Sequence, residues 1–279
     1  MAIRSDPIEG ATTSSRPVDE AELVHEARKA IKRMRALARL LRKELGEDEF
    51  KRVNSSLRSA ATRLAGARDA EVRLATLQAL AERHPRALAP PRIQLLKEQL
   101  ESERVGTIES SDRGEVLADI AAMRRQLARW NLLERDFDAL EPGLRRIYRE
   151  GRDRGKLAVR GHARNAQDLH DWRKRVKSLY YVLDMLVGGA KSTDPREARR
   201  QADRLGDLLG EEHDLWMLRV FVEEHPEAFE DDEPARHALL DRIERRRQRL
   251  RERALKLGAR LYERKPRDFT RRVGSSLAR

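Results

Sequence analysis

The stretch LVHEARKAIKRMRALARLLRK, Leu23 to Lys43, combines an apolar stripe with a nearly unbroken series of cations. Apolar residues recur along it at steps of three and four, as on a helix with one buried face. The stripe consists of Val24, Ala27, Ile31, Met34, Ala38, Leu41 and Leu45. This spacing predicts a helix from about Val18 to Leu45 that ends at Gly46.

The rest of the chain also favours helices. Charged residues make up 39% of the sequence and aromatic residues only 4%, and hardly any segment alternates with period two. Prolines predict a break at His84 to Arg92, and GGAKSTDP predicts another at Gly188 to Pro195. Further helices are expected at about 50–64, 69–83, 94–105, 116–130, 137–151, 169–186, 205–209, 215–221 and 234–262. We therefore expect an all-α protein.

The charge balance indicates a polyanionic partner or an anionic membrane. The chain has 279 residues, with 60 basic against 48 acidic side chains, for a net charge of +12. It has no cysteine, which excludes disulfides and thiolate metal sites. No apolar run approaches the ~20 residues that span a bilayer. Residues 1–17 have the composition of a disordered arm and lack a secretory apolar segment, so we expect a cytoplasmic protein.

Two pairs of segments predict an internal duplication. LVHEARKAIKRMR resembles DLHDWRKRVKSLY, Asp168 to Tyr180, so that His25 aligns with His170. LAGARDAEV resembles LGEEHDLWM, so that Asp69 aligns with Asp214, and both pairs are 145 positions apart. A shared offset is the signature of a repeat. Two such halves would place equivalent helices around a shared groove.

The cations form rows at helical spacing. The first row lies beside the apolar stripe and comprises His25, Arg28, Lys32, Arg35, Arg39 and Arg42. It would form a line about 25 Å long whose like charges repel. A second row comprises His170, Arg173, Lys174 and Lys177, and a third comprises Arg145, Arg149, Arg152 and Lys156. Such rows suit a linear polyanion, and the alternative is a solvated face whose long stems cover apolar surface.

Single residues near these rows leave several roles open. His25 and His170 could donate to an anion, act structurally or bind a metal, although a cationic neighbourhood repels metal ions. Asp69 and Asp214 could cap helices or orient a cation, and we favour the structural role. Arg247 interrupts an apolar series and is expected to face inward.

The duplicated His-x2-Arg pattern, followed 44 residues later by the Asp of ARD or EHD, resembles the CHAD domain, the conserved histidine α-helical domain. The resemblance runs from about Val18 to Arg264. It implies two pseudo-symmetric four-helix bundles around a central basic cavity that binds inorganic polyphosphate. The expected division is 18–133 and 134–264 for the two halves and 265–279 for a basic tail. Ser178 and Tyr180 depart from the basic residues common in the family, which puts that wall of the cavity in doubt.

The resemblance and the rows together give the predicted site. The residues expected to bind polyphosphate are His25, Arg28, Lys29, Lys32, Arg33, Arg35, Arg39, Arg145, Arg149, Arg152, His170, Arg173, Lys174, Lys177, His213 and Arg247. We expect no catalysis, metal or cofactor, and an association with polyphosphate granules. One alternative is a metal-dependent phosphohydrolase, because His-Asp dipeptides occur at His170 and His213. The other is a general nucleic-acid-binding protein, but the first row lacks the aromatic platforms of such proteins.

Overall fold

Every regular element in the described part of the chain is helical, as the sequence predicted. The computed structural model describes residues 20–64, 66–86, 88, 93–105, 118, 121–122, 125, 136–161, 165–187, 193–229 and 232–277. The helices are α1 Glu20–Leu40, α2 Arg42–Arg63, α3 Gly66–Arg83, α4 Gln94–Val105, α5 Phe137–Arg160, α6 Ala166–Val187, α7 Thr193–Glu224, α8 Glu233–Leu261 and α9 Pro266–Leu277, with a 3-10 turn at Pro226–Phe229. No helix within the described ranges is long and apolar enough to cross a membrane.

Helices α5 to α8 form a closed ring. Each packs against its neighbour in the chain, and α8 returns to contact α5. Trp172 of α6 lies at the centre and is 1% exposed. Its indole packs against Gly155 of α5 and Gly258 of α8, and a Cβ at either glycine would lie too close to the indole. Leu205 of α7 also lies beside Gly258. Trp172 is therefore a central core residue of the ring.

Helix α1 has two apolar faces. Ala27, Ile31, Met34 and Ala38 form a separate core with α2. Ala36 and Leu40 lie in the large core that includes the ring. Accordingly α1 packs against α2, α6 and α5. Gly143 of α5 allows the close approach, because a Cβ there would overlap the carbonyl oxygen of Leu40.

The remaining described helices pack around this frame. Helices α3 and α4 pair with each other, and α3 contacts α7. Helix α9 contacts α5 and α7, with the Phe269 ring stacked 3.9 Å from that of Tyr148. The segment 265–279, expected to be a basic tail, thus contributes a packed helix.

Several predicted boundaries differ from those observed. The helix expected over Val18 to Leu45 ends at Leu40, and Gly46 lies inside α2 as a non-helical residue with φ of 75°. The two helices expected at 205–209 and 215–221 are one continuous helix of 32 residues. The arm 1–17 and most of the helix expected at 116–130 lie outside the described residues.

Candidate anion-binding site

The basic row of α1 lies between the two apolar faces of that helix. One face packs on α2 and the other on the ring of α5 to α8. By helical geometry, His25, Arg28, Lys32, Arg35 and Arg39 fall in the angle between these faces. The fold therefore places the row along the junction of α1 with α2 on one side and α6 on the other.

Arg35 and Arg39 reach opposite walls of this junction. Arg35 Nε donates to Asn54 Oδ1 of α2 at 3.4 Å. Arg39 Nη1 donates to Ser178 Oγ of α6 at 2.6 Å. Both acceptors are neutral, and neither arginine has an ion pair within the described residues. The two guanidinium groups are thus hydrogen-bonded, but no carboxylate neutralises their positive charge.

Further cations surround these two side chains. Burial, followed by the nearby charges of Arg58 and Arg175, lowers the pKa of Arg35. Burial and then Arg175 and Arg35 lower the pKa of Arg39 to about 10, although Glu150 raises it. Both groups stay protonated at neutral pH. Burial and the neighbouring cations therefore make this positive charge unfavourable in the absence of an anion.

We call Arg35, Arg39, Arg58, Arg146 and Arg175 the arginine cluster. Its members come from four helices: α1, α2, α5 and α6. Arg146 donates to the carbonyl oxygen of Arg39, and Arg175 forms an ion pair with Glu150 at 3.0 Å. Cations therefore outnumber carboxylates where the helices meet.

The sequence did not single out Arg58, Arg146 or Arg175. Arg175 stands in the basic run of α6, one residue before the core residue Val176, and this position was the available signal. For Arg58 and Arg146 the signal is absent, because only the packing of distant helices brings them to Arg35 and Arg39.

The other predicted residues of α1 have mixed surroundings. Arg28 donates to the carbonyl oxygen of Leu64 at the end of α2. Lys29 pairs with Glu26 at 3.2 Å on the surface. Arg33 lies 3.7 Å from Asp184 of α6, on another side of α1. His25 and Lys32 are exposed.

The cations of α6 are more often paired with carboxylates than Arg35 and Arg39 are. Lys174 lies 3.2 Å from Asp171, and Lys177 lies 2.9 Å from Asp207. Arg173 packs beside Gly210 of α7, where a Cβ would meet its Nη2 at 3.5 Å. The second row is therefore partly neutralised within the protein.

Two predicted histidines meet between α6 and α7. The ring centroids of His170 and His213 are 4.5 Å apart. Burial, followed by Arg173, His170 and Lys174, lowers the pKa of His213 to about 4. Burial, Lys174 and Arg173 lower that of His170 as well. The pair is neutral at pH 7.

The third predicted row does not join the first. The face of α5 with Gly143 and Glu150 meets α1 and α6, and the row lies on the opposite face. Arg152 Nε donates to the carbonyl oxygen of Tyr262 at 3.1 Å, beyond the end of α8. Arg145 lies 3.5 Å from Glu141, and Arg149 is exposed.

Arg247 faces inward, as expected, but into an ion-pair network. Its side chain is 3% exposed and lies 2.9 Å from Glu212 and 3.0 Å from Glu244. Arg251 also binds Glu212, at 3.0 Å. The guanidinium of Arg247 is thus paired with two carboxylates, which favours a structural role over the predicted binding role.

The two predicted orienting aspartates lie at the surface or near it. Asp69 is exposed in the first turn of α3. Asp214 is half-buried in α7, one residue after His213. Within the described ranges, no group of three or more histidine or acidic residues could hold a metal ion.

Comparison with known proteins identifies one family. The model of the CHAD domain matches residues 11–223. The match ends with α7 and omits α8 and α9, whereas the resemblance seen in the sequence extends to Arg264. No curated protein matches the chain.

Proposed function

Because the chain belongs to the CHAD domain family, we propose that it binds inorganic polyphosphate, and that the arginine cluster is the centre of the binding site. The observation that carries this proposal is the state of Arg35 and Arg39. They are partly buried and hydrogen-bonded to neutral groups, and further cations surround them. Such charge is costly to hold without an anion, and a chain of phosphates would supply one.

The chemistry of the cluster suits phosphate oxygens. A guanidinium presents several N–H donors in a planar fork that matches two oxygens of one phosphate. Arginines from four helices can therefore engage successive phosphates of a flexible chain. Lys32 and His25 extend the same row of α1 toward the amino end of the helix. We propose that they contact further phosphates of the same polyphosphate chain.

We extend the proposal to the internal duplication and the cavity. Arg28 meets the carbonyl oxygen of Leu64, and Arg173 meets Gly210. The two arginines are 145 positions apart and their neighbours 146 apart, so the two contacts occupy nearly matching places in the proposed repeat. We propose that the two basic rows border one cavity, with the stronger positive wall on the α1 side.

A pair of double variants tests this function. Arg35→Gln with Arg39→Gln removes two cluster cations while keeping hydrogen-bonding groups and good helix propensity. Each charge-assisted contact is worth about 1.5–3 kcal/mol, so polyphosphate affinity should fall at least a hundredfold. The control, Arg249→Gln with Arg253→Gln, removes the same charge from exposed positions on α8. Titration calorimetry and thermal melts on both variants measure affinity and folding.

Three results would count against the proposal. Equal loss of affinity in both variants would show that net charge alone binds the polyanion. Equal affinity for single-stranded RNA at matched salt would favour the nucleic-acid alternative. Release of phosphate from long polyphosphate with Mg²⁺ or Mn²⁺ would favour the hydrolase. We expect the protein to bind polyphosphate tightly in excess chelator and not to hydrolyse it. We also expect tagged protein to co-localise with polyphosphate granules in cells.

A further inference from the structure

A pocket of about 390 Å³ lies between α5 and α8. It opens on the face of α5 opposite to the one that meets α1, so it is separate from the arginine cluster. Its walls include apolar groups from three helices: Val159 of α5, Leu255 of α8 and the indole of Trp172. The volume lies within the range of about 300–1,000 Å³ that is typical of small-molecule sites.

Two cations of the third row, Arg152 and Lys156, line this pocket together with Arg160. Arg152 is fixed by its bond to the Tyr262 carbonyl oxygen. Lys156 and Arg160 are exposed one helical turn apart, and neither has an ion pair within the described part of the chain. The wall contains one carboxylate, that of Glu263. Three cations against one anion give the pocket a net positive charge.

Two buried donors in the walls lack partners among the described residues. They are Trp172 Nε1 and Tyr262 Oη, in side chains 1% and 6% exposed. Burial, with a smaller effect of Tyr148, raises the pKa of Tyr262, so its hydroxyl keeps its proton. Gly155 lies beside the indole nitrogen and Gly151 beside the phenol oxygen, one turn apart on α5. Unpaired buried donors are uncommon, and these two lie beside the pocket where α5 meets α6 and the end of α8.

We propose that this pocket binds a small anion with an aromatic or apolar body. The body lies against Trp172, Val159 and Leu255, and the anionic group meets Arg152, Lys156 and Arg160. A carboxylate and a phosphate monoester share this chemistry, and the two are distinguished by experiment.

Four probes test the ligand class by calorimetry on the full chain: 2-naphthyl phosphate, 2-naphthoate, neutral 2-naphthol and inorganic phosphate. We expect at least one naphthyl anion to bind tenfold or more tightly than both naphthol and inorganic phosphate. The tighter of the two anions identifies the head group. If neither exceeds the two controls, the proposal is wrong.

Variants locate the binding. Ala259→Phe fills the pocket from an exposed position on α8, and Lys156→Gln with Arg160→Gln removes two cations from the rim. Each should weaken the better naphthyl anion at least tenfold, whereas Arg249→Gln with Arg253→Gln should leave it unchanged. Wild-type affinity in the filled variant, or equal loss in the control, would overturn the site. Polyphosphate affinity should be unchanged in Ala259→Phe, and its loss would show that the pocket is not a second site.

Discussion

His170 of α6 and His213 of α7 lie face to face at a tilt of 32°, with ring centroids 4.5 Å apart. Arg173 and Lys174 of α6 and Arg247 of α8 add positive charge around them, and Asp171 partly offsets it at His170. His170 Nδ1 is buried and has no partner within the described ranges. Two neutral imidazoles can coexist here, but adding a proton to either one is opposed by burial and by its neighbours.

The first prediction concerns stability and pH. The pKa of His213 is about 4 in the folded protein and ordinarily 6.5. Between these values the unfolded chain takes up a proton that the folded protein does not, so stability should fall as pH decreases through this window. Thermal melts from pH 7.5 to 4.5 measure the slope, and His213→Gln should flatten it. A slope that is the same in that variant would contradict the assignment.

The second prediction concerns polyphosphate and protons. If phosphate oxygens approach the histidine pair, they favour the protonated imidazole and raise its pKa. Binding should then take up protons, and affinity should rise as pH falls from 7.5 to 5.5. Calorimetry in buffers of different ionisation enthalpy measures this uptake. Uptake that persists in a His170→Gln, His213→Gln variant would assign it to other groups.

The third prediction concerns the buried ion pair of Glu212 and Arg247. Leaving a buried charge uncompensated typically costs about 3–5 kcal/mol, but Glu212 keeps Arg251 at 3.0 Å when Arg247 is removed. Arg247→Leu should therefore lower the free energy of unfolding by less than this amount, while leaving polyphosphate affinity intact. Arg251 and Glu244 lie 3.0 Å apart in the parent protein, and the double variant Glu212→Leu, Arg247→Leu removes neither of them. Its cost should therefore be less than the sum of the two single costs. Urea unfolding measures all three. Loss of polyphosphate binding by folded Arg247→Leu would return Arg247 to the site.

The fourth prediction concerns the contact of α1 with α5. Gly143→Ala places a Cβ against the Leu40 carbonyl, and overpacking costs about 1–3 kcal/mol. This exceeds the roughly 1 kcal/mol that alanine gains over glycine in a helix. We expect lower stability and weaker polyphosphate binding, because Arg39 and Arg146 share this contact. Gly210→Ala is the control, since its Cβ has an ordinary 3.5 Å contact and should not lower stability. Equal melting temperatures of Gly143→Ala and the parent protein would refute the tight contact.

The fifth prediction concerns salt. Lys and Arg that neutralise phosphates release counterions, so log affinity should fall linearly with log salt. The slope is about 0.7 per contact for single-stranded nucleic acid, which serves as a guide for polyphosphate. Arg35→Gln with Arg39→Gln should reduce the slope, and Arg249→Gln with Arg253→Gln should not. An affinity that hardly changes between low and physiological salt would exclude a basic site of this kind.

The helices of the ring could be predicted where apolar residues recur at helical spacing. Trp172 follows the apolar spacing of α6 and lies in the core. The prediction divided helix α7 into two shorter helices at 205–209 and 215–221. In the structure Gly206 and Gly210 make room for Lys177 and Arg173 of α6, so packing between helices keeps α7 continuous.

The candidate site was predictable along one helix and not across helices. Spacing alone places Arg35 and Arg39 on one face of α1. It cannot show that Asn54 and Ser178 receive their hydrogen bonds, or that Arg175 lies close by. Spacing also cannot show that Arg152 and its row on α5 lie apart from the basic row of α1. The direction of an α5 side chain depends on which helices surround α5. The role of the whole set in polyphosphate binding stays a prediction.

The close contact of Leu40 with Gly143 also joins two parts of the chain that are made at different times. About 100 residues separate the two positions, which corresponds to roughly 5–20 s at the usual 5–20 residues per second. Helix α1 leaves the ribosome first, yet the ring that covers its second apolar face is completed only with α8. Until then the second apolar face of α1, which includes Ala36 and Leu40, lacks the helices that cover it in the folded protein.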